Sequence, residues 1–174
     1  SKDPAMGMKA LGAGSYGLIC PLVNSVEEAH NFVAATCYPP AGWRSFGPSR
    51  GLLYGEPDYV LEADATIVRM AMIETLEGLG AVEAICAIKG LDGVFVGPND
   101  LSLNLGHSAS SDPTQPEVRD AIAKCLAAAK AAGKHAGIFC PSGAVARRRS
   151  KEGFDFVVPG SDANLLKTAL AAEL

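Results

Sequence analysis

Short apolar runs alternate with helix-like segments along most of this chain, and that alternation restricts the fold more than any other feature of the sequence. Each run is too short for a helix and is continuously apolar, as expected of strands that are covered on both faces. Segments with helix-start and helix-stop residues separate the runs. The pattern predicts strands over residues 17–23, 67–73, 94–96, 136–139 and 156–158.

The segments between these strands predict helices and one long loop. Ser25 stands three residues before Glu28, the spacing of a capping box, and starts a helix that should end near Thr36. Residues 38–58 are rich in proline and glycine and predict an irregular loop. Further helices are expected before Gly12, over residues 76–88, 116–132 and 142–152, and around residues 165–170.

Five strand–helix units of this kind predict an α/β fold with a parallel sheet. Two architectures accommodate them: an open doubly wound sheet, or part of an eight-stranded barrel of typically about 250 residues. Periodicity alone does not choose between the two. The chain has 174 residues, of which 48% are hydrophobic and 20% charged, so we expect one domain over residues 1–174.

Composition and charge exclude several classes of partner. The net charge of −4 gives no basic surface for nucleic acid or an anionic membrane. No apolar run approaches the roughly 20 residues that span a bilayer. The five cysteines include no C-x-x-C pair, so we interpret them as buried, reduced thiols. The first residues do not resemble a signal peptide, and we expect a cytoplasmic protein.

Two carboxylates stand at the ends of predicted strands, where both architectures bind their ligands. Glu74 follows the apolar run 67–73, and Asp100 follows the run 94–96 after the bend at Gly97. Oxygen ligands from two strand ends suit a hard divalent cation such as Mg²⁺ or Mn²⁺, which a 2-oxo acid would chelate. Alternatively, Glu74 caps the helix that follows it and Asp100 caps a turn. Spacing alone leaves both interpretations open.

Ordered motifs extend this interpretation along almost the whole chain. They are PLVNSVEEA at residues 21–29, YPPAGWRSFG at 38–47, IET at 73–75 and GLDGVFVGPNDLS at 90–102. Together these motifs resemble the HpcH/HpaI aldolase family, and the similarity continues to residue 166. The resemblance implies a (β/α)8 TIM barrel of the phosphoenolpyruvate/pyruvate type, of which this chain carries about the last five βα units.

The resemblance also implies a function and a site. Family members cleave 4-hydroxy-2-oxo acids reversibly to pyruvate and an aldehyde, and a divalent metal (Mg²⁺, Mn²⁺ or Co²⁺) stabilises the enolate. The metal ligands of the family correspond to Glu74 and Asp100. The pyruvate carboxylate is held by the backbone around Gly97, Pro98, Asn99 and Asp100. We expect a homo-oligomer, with no nucleic-acid or membrane partner.

Arg44 is a further candidate, either as an anion-binding group at the mouth of the site or as one half of an ion pair that anchors its loop. Arg147, Arg148 and Arg149 are expected to form a helix face directed at solvent or at a neighbouring subunit.

The chain departs from the family pattern in two ways. Met72 stands where family members often have glutamine, so a hydrogen bond to substrate is lost. The family's histidine base and an arginine belong to units that would precede Ser1, and none of His30, His107 and His135 replaces that base convincingly. The catalytic residues are therefore unassigned. Two alternatives follow: an incomplete barrel that serves as an oxo-acid-binding or assembly subunit, and a citrate-type lyase or synthase.

Overall fold

The computed structural model describes residues 2–55 and 58–173, which form one parallel sheet with helices packed along it. Every pair of neighbouring strands is parallel, as the predicted strand–helix alternation requires. The strands are β1 (Gly17–Cys20), β2 (Val68–Ile73), β3 (Gly93–Val96), β4 (His135–Phe139) and β5 (Phe156–Val158).

The order of the strands in the sheet decides between the two predicted architectures. The sheet runs β1-β2-β3-β4-β5, so each strand pairs with its neighbour in the sequence. A doubly wound sheet reverses its order at an internal switch point, whereas a β/α barrel adds each new strand on the same side. The chain therefore has the winding of a β/α barrel and contributes five consecutive βα units to it.

Helices precede the sheet and connect its strands. Ser25 accepts a hydrogen bond from the Glu28 main-chain N–H at 3.2 Å, which confirms the predicted start of the second helix. The helices are α1 (Pro4–Gly12), α2 (Val26–Thr36), α3 (Ser49–Tyr54), α4 (Tyr59–Thr66), α5 (Leu76–Gly80), α6 (Val82–Cys86), α7 (Pro98–Asn104), α8 (Pro116–Ala131), α9 (Gly143–Glu152) and α10 (Asp162–Ala172). No helix among the described residues is both long and apolar enough to cross a membrane.

The predicted irregular loop over residues 38–58 was wrong in part, because it contains helix α3. A Cβ on Gly51 would lie 2.6 Å from the ring of Tyr59, and one on Gly55 would lie 2.9 Å from the same ring. These glycines therefore allow a close approach to Tyr59, whereas composition alone indicated only a break in regular structure. Helix α4, which begins at Tyr59, was not predicted either.

The predicted helix over residues 76–88 is divided into α5 and α6 at Ala81, which leaves the helical conformation with φ of −102° and ψ of 2°. Gly78 and Gly80 lower the helix propensity of this segment. A Cβ on Gly78 would lie 2.5 Å from the Val23 carbonyl oxygen, so this glycine lets α5 pack against the loop after β1. That loop begins earlier than predicted, since β1 ends at Cys20.

The two faces of the sheet have different surroundings. Ala71, Ile73, Val94 and Val96 are buried in the main core cluster, against side chains of the helices. On the other face the rings of Phe95 and Phe156 lie 6.0 Å apart. Phe156 remains 48% exposed, so the inner face of the sheet is covered much less than the outer face.

Candidate functional site

Glu74 and Asp100 lie at the same edge of the sheet. Glu74 directly follows Ile73, the last residue of β2, and Ile73 is paired in register with Val96, the last residue of β3. Gly97 then starts the turn that leads to Asp100 in the first turn of α7. Because both strands end at one level, the structure brings the two predicted metal ligands to neighbouring positions at the carboxyl ends of the strands.

The carboxylate of Glu74 is buried and held at one oxygen. The residue is 5% exposed, and its Oε1 accepts a 2.8 Å hydrogen bond from the Leu22 main-chain N–H in the loop after β1. Its other oxygen lies over Gly97, where an added Cβ would be only 2.6 Å from Oε2. The absence of a side chain at position 97 therefore makes room for the Glu74 carboxylate.

Burial raises the pKa of Glu74 above its usual value, and the negative charge of Asp100 raises this pKa further. The hydrogen bond from Leu22 acts in the opposite direction but does not cancel these effects. Two carboxylates close enough to repel each other, one of them largely removed from water, are stabilised by a cation between them. The donor set is all oxygen, which fits a hard divalent cation.

Within the described residues, these two carboxylates are not joined by a third acidic side chain. No group of three or more His, Cys, Asp and Glu residues with metal-binding geometry occurs within residues 2–55 and 58–173. Mg²⁺ and Mn²⁺ commonly take one or two carboxylates and complete their coordination with water and substrate oxygens. The pair Glu74 and Asp100 fits that arrangement.

The two strand ends are tied together by Asn104, which sequence reasoning missed. Its Nδ2 donates to the main-chain oxygen of Glu74 at 3.3 Å and to that of Asp100 at 3.1 Å. Ser111 donates in turn to Oδ1 of Asn99 at 3.0 Å, which orients the Asn99 side chain. These bonds fix the turn that carries Asp100 relative to the strand that carries Glu74.

A hollow of about 210 Å³ opens beside the two carboxylates. All four predicted residues of the substrate-binding turn contribute to its wall, together with Glu74 and three apolar side chains. The lining is Met72, Glu74, Phe95, Gly97, Pro98, Asn99, Asp100 and Phe139. The main-chain N–H groups of Asn99 and Asp100 have no acceptor among the described residues, since they belong to the first turn of α7. The hollow therefore combines anionic oxygens, available N–H donors and an apolar wall.

The alternative that Glu74 caps the following helix is wrong. The N-cap of α5 is Thr75, whose Oγ1 accepts a 3.1 Å hydrogen bond from the Gly78 main-chain N–H and donates to Asn24 Oδ1 at 2.6 Å. Asp100 does lie in the first turn of α7, where the N-cap is Gly97. A capping role thus remains available to Asp100 and not to Glu74.

Arg44 is not part of the hollow. It is 3% exposed, its Cζ lies 4.5 Å from the ring centre of Tyr38, and its Nη2 donates to the Tyr59 hydroxyl at 3.1 Å. No acidic side chain pairs with it within the described residues, so the predicted loop-anchoring ion pair is not seen among them. Tyr59 also contacts Tyr16, which precedes β1, and this places Arg44 near the amino-terminal side of the sheet.

None of the three histidines lines the hollow. His30 is exposed on α2, and His135 is the first residue of β4, at the amino-terminal edge of the sheet. His107 follows α7, with its Nε2 3.7 Å from Glu117 Oε2. Which residue supplies the base therefore stays unassigned.

The fold defines a β/α-barrel protein, and its hollow lies at the carboxyl ends of the strands, where proteins of this fold bind small molecules. The chain belongs to the HpcH/HpaI aldolase/citrate lyase family, whose sequence model matches residues 1–169.

Relatives and solved structures agree with this assignment. A hydroxypyruvate/pyruvate aldolase of Rhizorhabdus wittichii is 47% identical over 167 residues, which cover 96% of this chain and 66% of the relative. A 5-keto-4-deoxy-D-glucarate aldolase of Klebsiella pneumoniae is 40% identical over 171 residues, 97% of this chain and 66% of the relative. A crystal structure of a family protein from Burkholderia cenocepacia superposes with a TM-score of 0.91 at 33% identity, covering 99% of this chain and 69% of that one. The chain thus spans about two thirds of the length of the curated relatives.

Proposed function

We propose that this chain forms the metal- and oxo-acid-binding part of a carbon–carbon lyase that cleaves or forms 4-hydroxy-2-oxo acids, with pyruvate as one product. The observation that carries the proposal is the pair of carboxylates at adjacent strand ends, with Glu74 buried over Gly97 and repelled by Asp100. The names of the two aldolase relatives support the same class of substrate.

In this proposal Glu74 and Asp100 hold a divalent cation, Mg²⁺, Mn²⁺ or Co²⁺. When bound, the cation supplies Lewis-acid stabilisation of the negative charge that develops on the oxo-acid oxygen. The other residues of the hollow position the substrate. The N–H groups of Asn99 and Asp100 donate to the substrate carboxylate, and Met72, Phe95 and Phe139 form the apolar part of the wall.

Metal titration calorimetry tests the proposal. We expect Mn²⁺ to bind the chain at one site, with tighter binding when pyruvate is present. Glu74→Gln and Asp100→Asn should each weaken Mn²⁺ binding by at least about tenfold, because each removes one of only two protein ligands. The matched control is Glu77→Gln, which removes an exposed carboxylate three residues from Glu74.

Activity is then measured as pyruvate release from 4-hydroxy-2-oxo acids with Mg²⁺, Mn²⁺ or Co²⁺. Metal-dependent release supports the lyase. The second candidate is an oxo-acid-binding subunit without turnover, which the positions of the histidines favour because none of them lines the hollow. Binding of Mn²⁺ and pyruvate with no release of pyruvate would support this candidate. Absence of Mn²⁺ binding would reject both functions.

A further inference from the structure

A second charged cleft lies between α8 and α9, away from the Glu74 hollow, and shares no lining residue with it. Its volume is about 320 Å³. Three arginines and two acidic side chains contribute to its wall, which consists of Asp112, Pro113, Thr114, Arg119, Arg148, Arg149 and Glu152. The arginine run of α9 that sequence analysis assigned to a helix face thus contributes two of its three members to this cleft.

The acidic side chains of the cleft are already engaged by two of the arginines. Asp112 forms a hydrogen-bonded ion pair with Arg148 and lies 3.8 Å from Nη2 of Arg149. Glu152 accepts from Nη1 of Arg149 at 2.8 Å and lies 3.8 Å from Nε of Arg148. Arg119 has no ion pair or side-chain hydrogen bond within residues 2–55 and 58–173. The wall therefore carries one positive charge in excess.

Arg149 is the buried arginine of the cleft wall. Arg149 is only 7% exposed, so it is not the solvent-facing member of the arginine run, and its Nε is buried with no hydrogen-bond partner in the described structure. A buried N–H of a charged group without an acceptor is unfavourable, because the group has lost its water and gained no replacement.

We propose that this cleft binds a small oxyanion of the phosphate class, either inorganic phosphate or the phosphate group of a metabolite. Arg119 contributes the unpaired charge, while Asp112 and Glu152 hold the guanidinium groups of Arg148 and Arg149 in place. Guanidinium suits this ligand because its planar set of N–H donors matches two phosphate oxygens. Asp120 lines an adjoining hollow together with Arg119, and its negative charge weakens the attraction of Arg119 for an anion.

Two-dimensional NMR of the whole chain tests the site, with inorganic phosphate added at constant ionic strength. We expect saturable shifts confined to residues 112–119 and 146–153. Arg119→Gln should weaken phosphate binding by about tenfold, and Arg119→Lys should weaken it less, because it keeps the charge and loses the planar donor set. Arg147→Gln is the matched control: it removes the same charge from an exposed residue of α9 that does not line the cleft.

Three results would overturn the proposal: shifts that do not saturate, equal weakening by Arg147→Gln and Arg119→Gln, or the same shifts when chloride replaces phosphate at equal ionic strength. Glycerol phosphate distinguishes the two sources of the ligand. Binding tighter than that of inorganic phosphate supports a phosphorylated metabolite, and weaker binding supports the free ion. Neither outcome depends on metal or pyruvate binding at Glu74.

Discussion

The main-chain N–H of Leu22 donates a 2.8 Å hydrogen bond to Oε1 of Glu74 from a left-handed backbone conformation, with φ of 54°. That conformation costs a residue with a branched side chain on the order of 1 kcal/mol. A buried carboxylate without a donor would cost more. The loop after β1 and the end of β2 therefore stabilise each other, and the result is a carboxylate with a fixed position before any ligand arrives.

Gly97→Ala should displace Glu74. The added Cβ would lie 2.6 Å from Oε2 of Glu74 and 3.0 Å from its Cβ, so the carboxylate must move. We expect Mn²⁺ binding, measured by calorimetry, to weaken by roughly tenfold or more. Gly80→Ala is the control, because nothing lies within 4 Å of a Cβ at that position. Unchanged affinity in Gly97→Ala would contradict the proposed role of Glu74.

Asn104→Ala should loosen the turn that carries Asp100, because it removes both side-chain bonds to the main-chain oxygens of Glu74 and Asp100. We expect Mn²⁺ binding to weaken by about tenfold, the low end of the range for groups that orient metal ligands. Faster amide hydrogen exchange in α7 should accompany it. Asn164→Ala, at an exposed position of α10, provides the comparison. Wild-type exchange together with wild-type affinity would rule the positioning role out.

Arg44→Lys decides between a structural role and a substrate-binding role for this arginine. Lysine keeps the charge but loses the planar contact with Tyr38 and the geometry of the bond to Tyr59. We expect the free energy of unfolding in urea to fall by about 1–2 kcal/mol, with pyruvate affinity unchanged. Arg50→Lys, on the exposed surface of α3, should change neither. Loss of pyruvate binding with intact stability would restore the substrate-binding interpretation.

Asp155 should make stability depend on pH. The hydrogen bond from Lys130 lowers the pKa of Asp155, with a smaller contribution from the main-chain N–H of Ala136. A lowered pKa in the folded state stabilises the protein above the unfolded value of about 3.9, and that stability is lost as the pH falls through the folded pKa.

Asp155→Asn tests this dependence through the urea midpoint as a function of pH. The variant should be less stable near neutral pH by on the order of 1 kcal/mol, since the ion pair is partly exposed. The difference from wild type should shrink as the pH falls below the unfolded pKa. A constant difference at every pH would show that the charge of Asp155 is not responsible.

The sequence predicts the sheet well because each strand is a local apolar run, and it predicts α2 because Ser25 and Glu28 lie within one turn of each other. Helix α7 was missed, since Gly97 and Pro98 indicated a bend, although proline is also favoured in the first turn of a helix. The break at Ala81 was missed as well, because the apolar spacing continues through it.

The sequence likewise predicts some residues of the candidate site and not others. Glu74 and Asp100 were found because each directly follows a predicted strand. Leu22 and Asn104 were not found. Their hydrogen bonds to Glu74 join residues that are 52 and 30 positions apart in the sequence, respectively, and no local pattern encodes such contacts. The Arg44 motif is visible in the sequence, but its burial between two tyrosines is a tertiary property.

The sequential order of the sheet has a consequence for how this molecule assembles. Since every strand pairs with the next one along the chain, each new pairing closes a loop of limited length, and the sheet can grow one unit at a time from any starting pair. Adding a strand at either edge of the sheet does not change the existing strand pairs. A βα unit can therefore be added at one end of the sheet without rearranging the strands that are already paired.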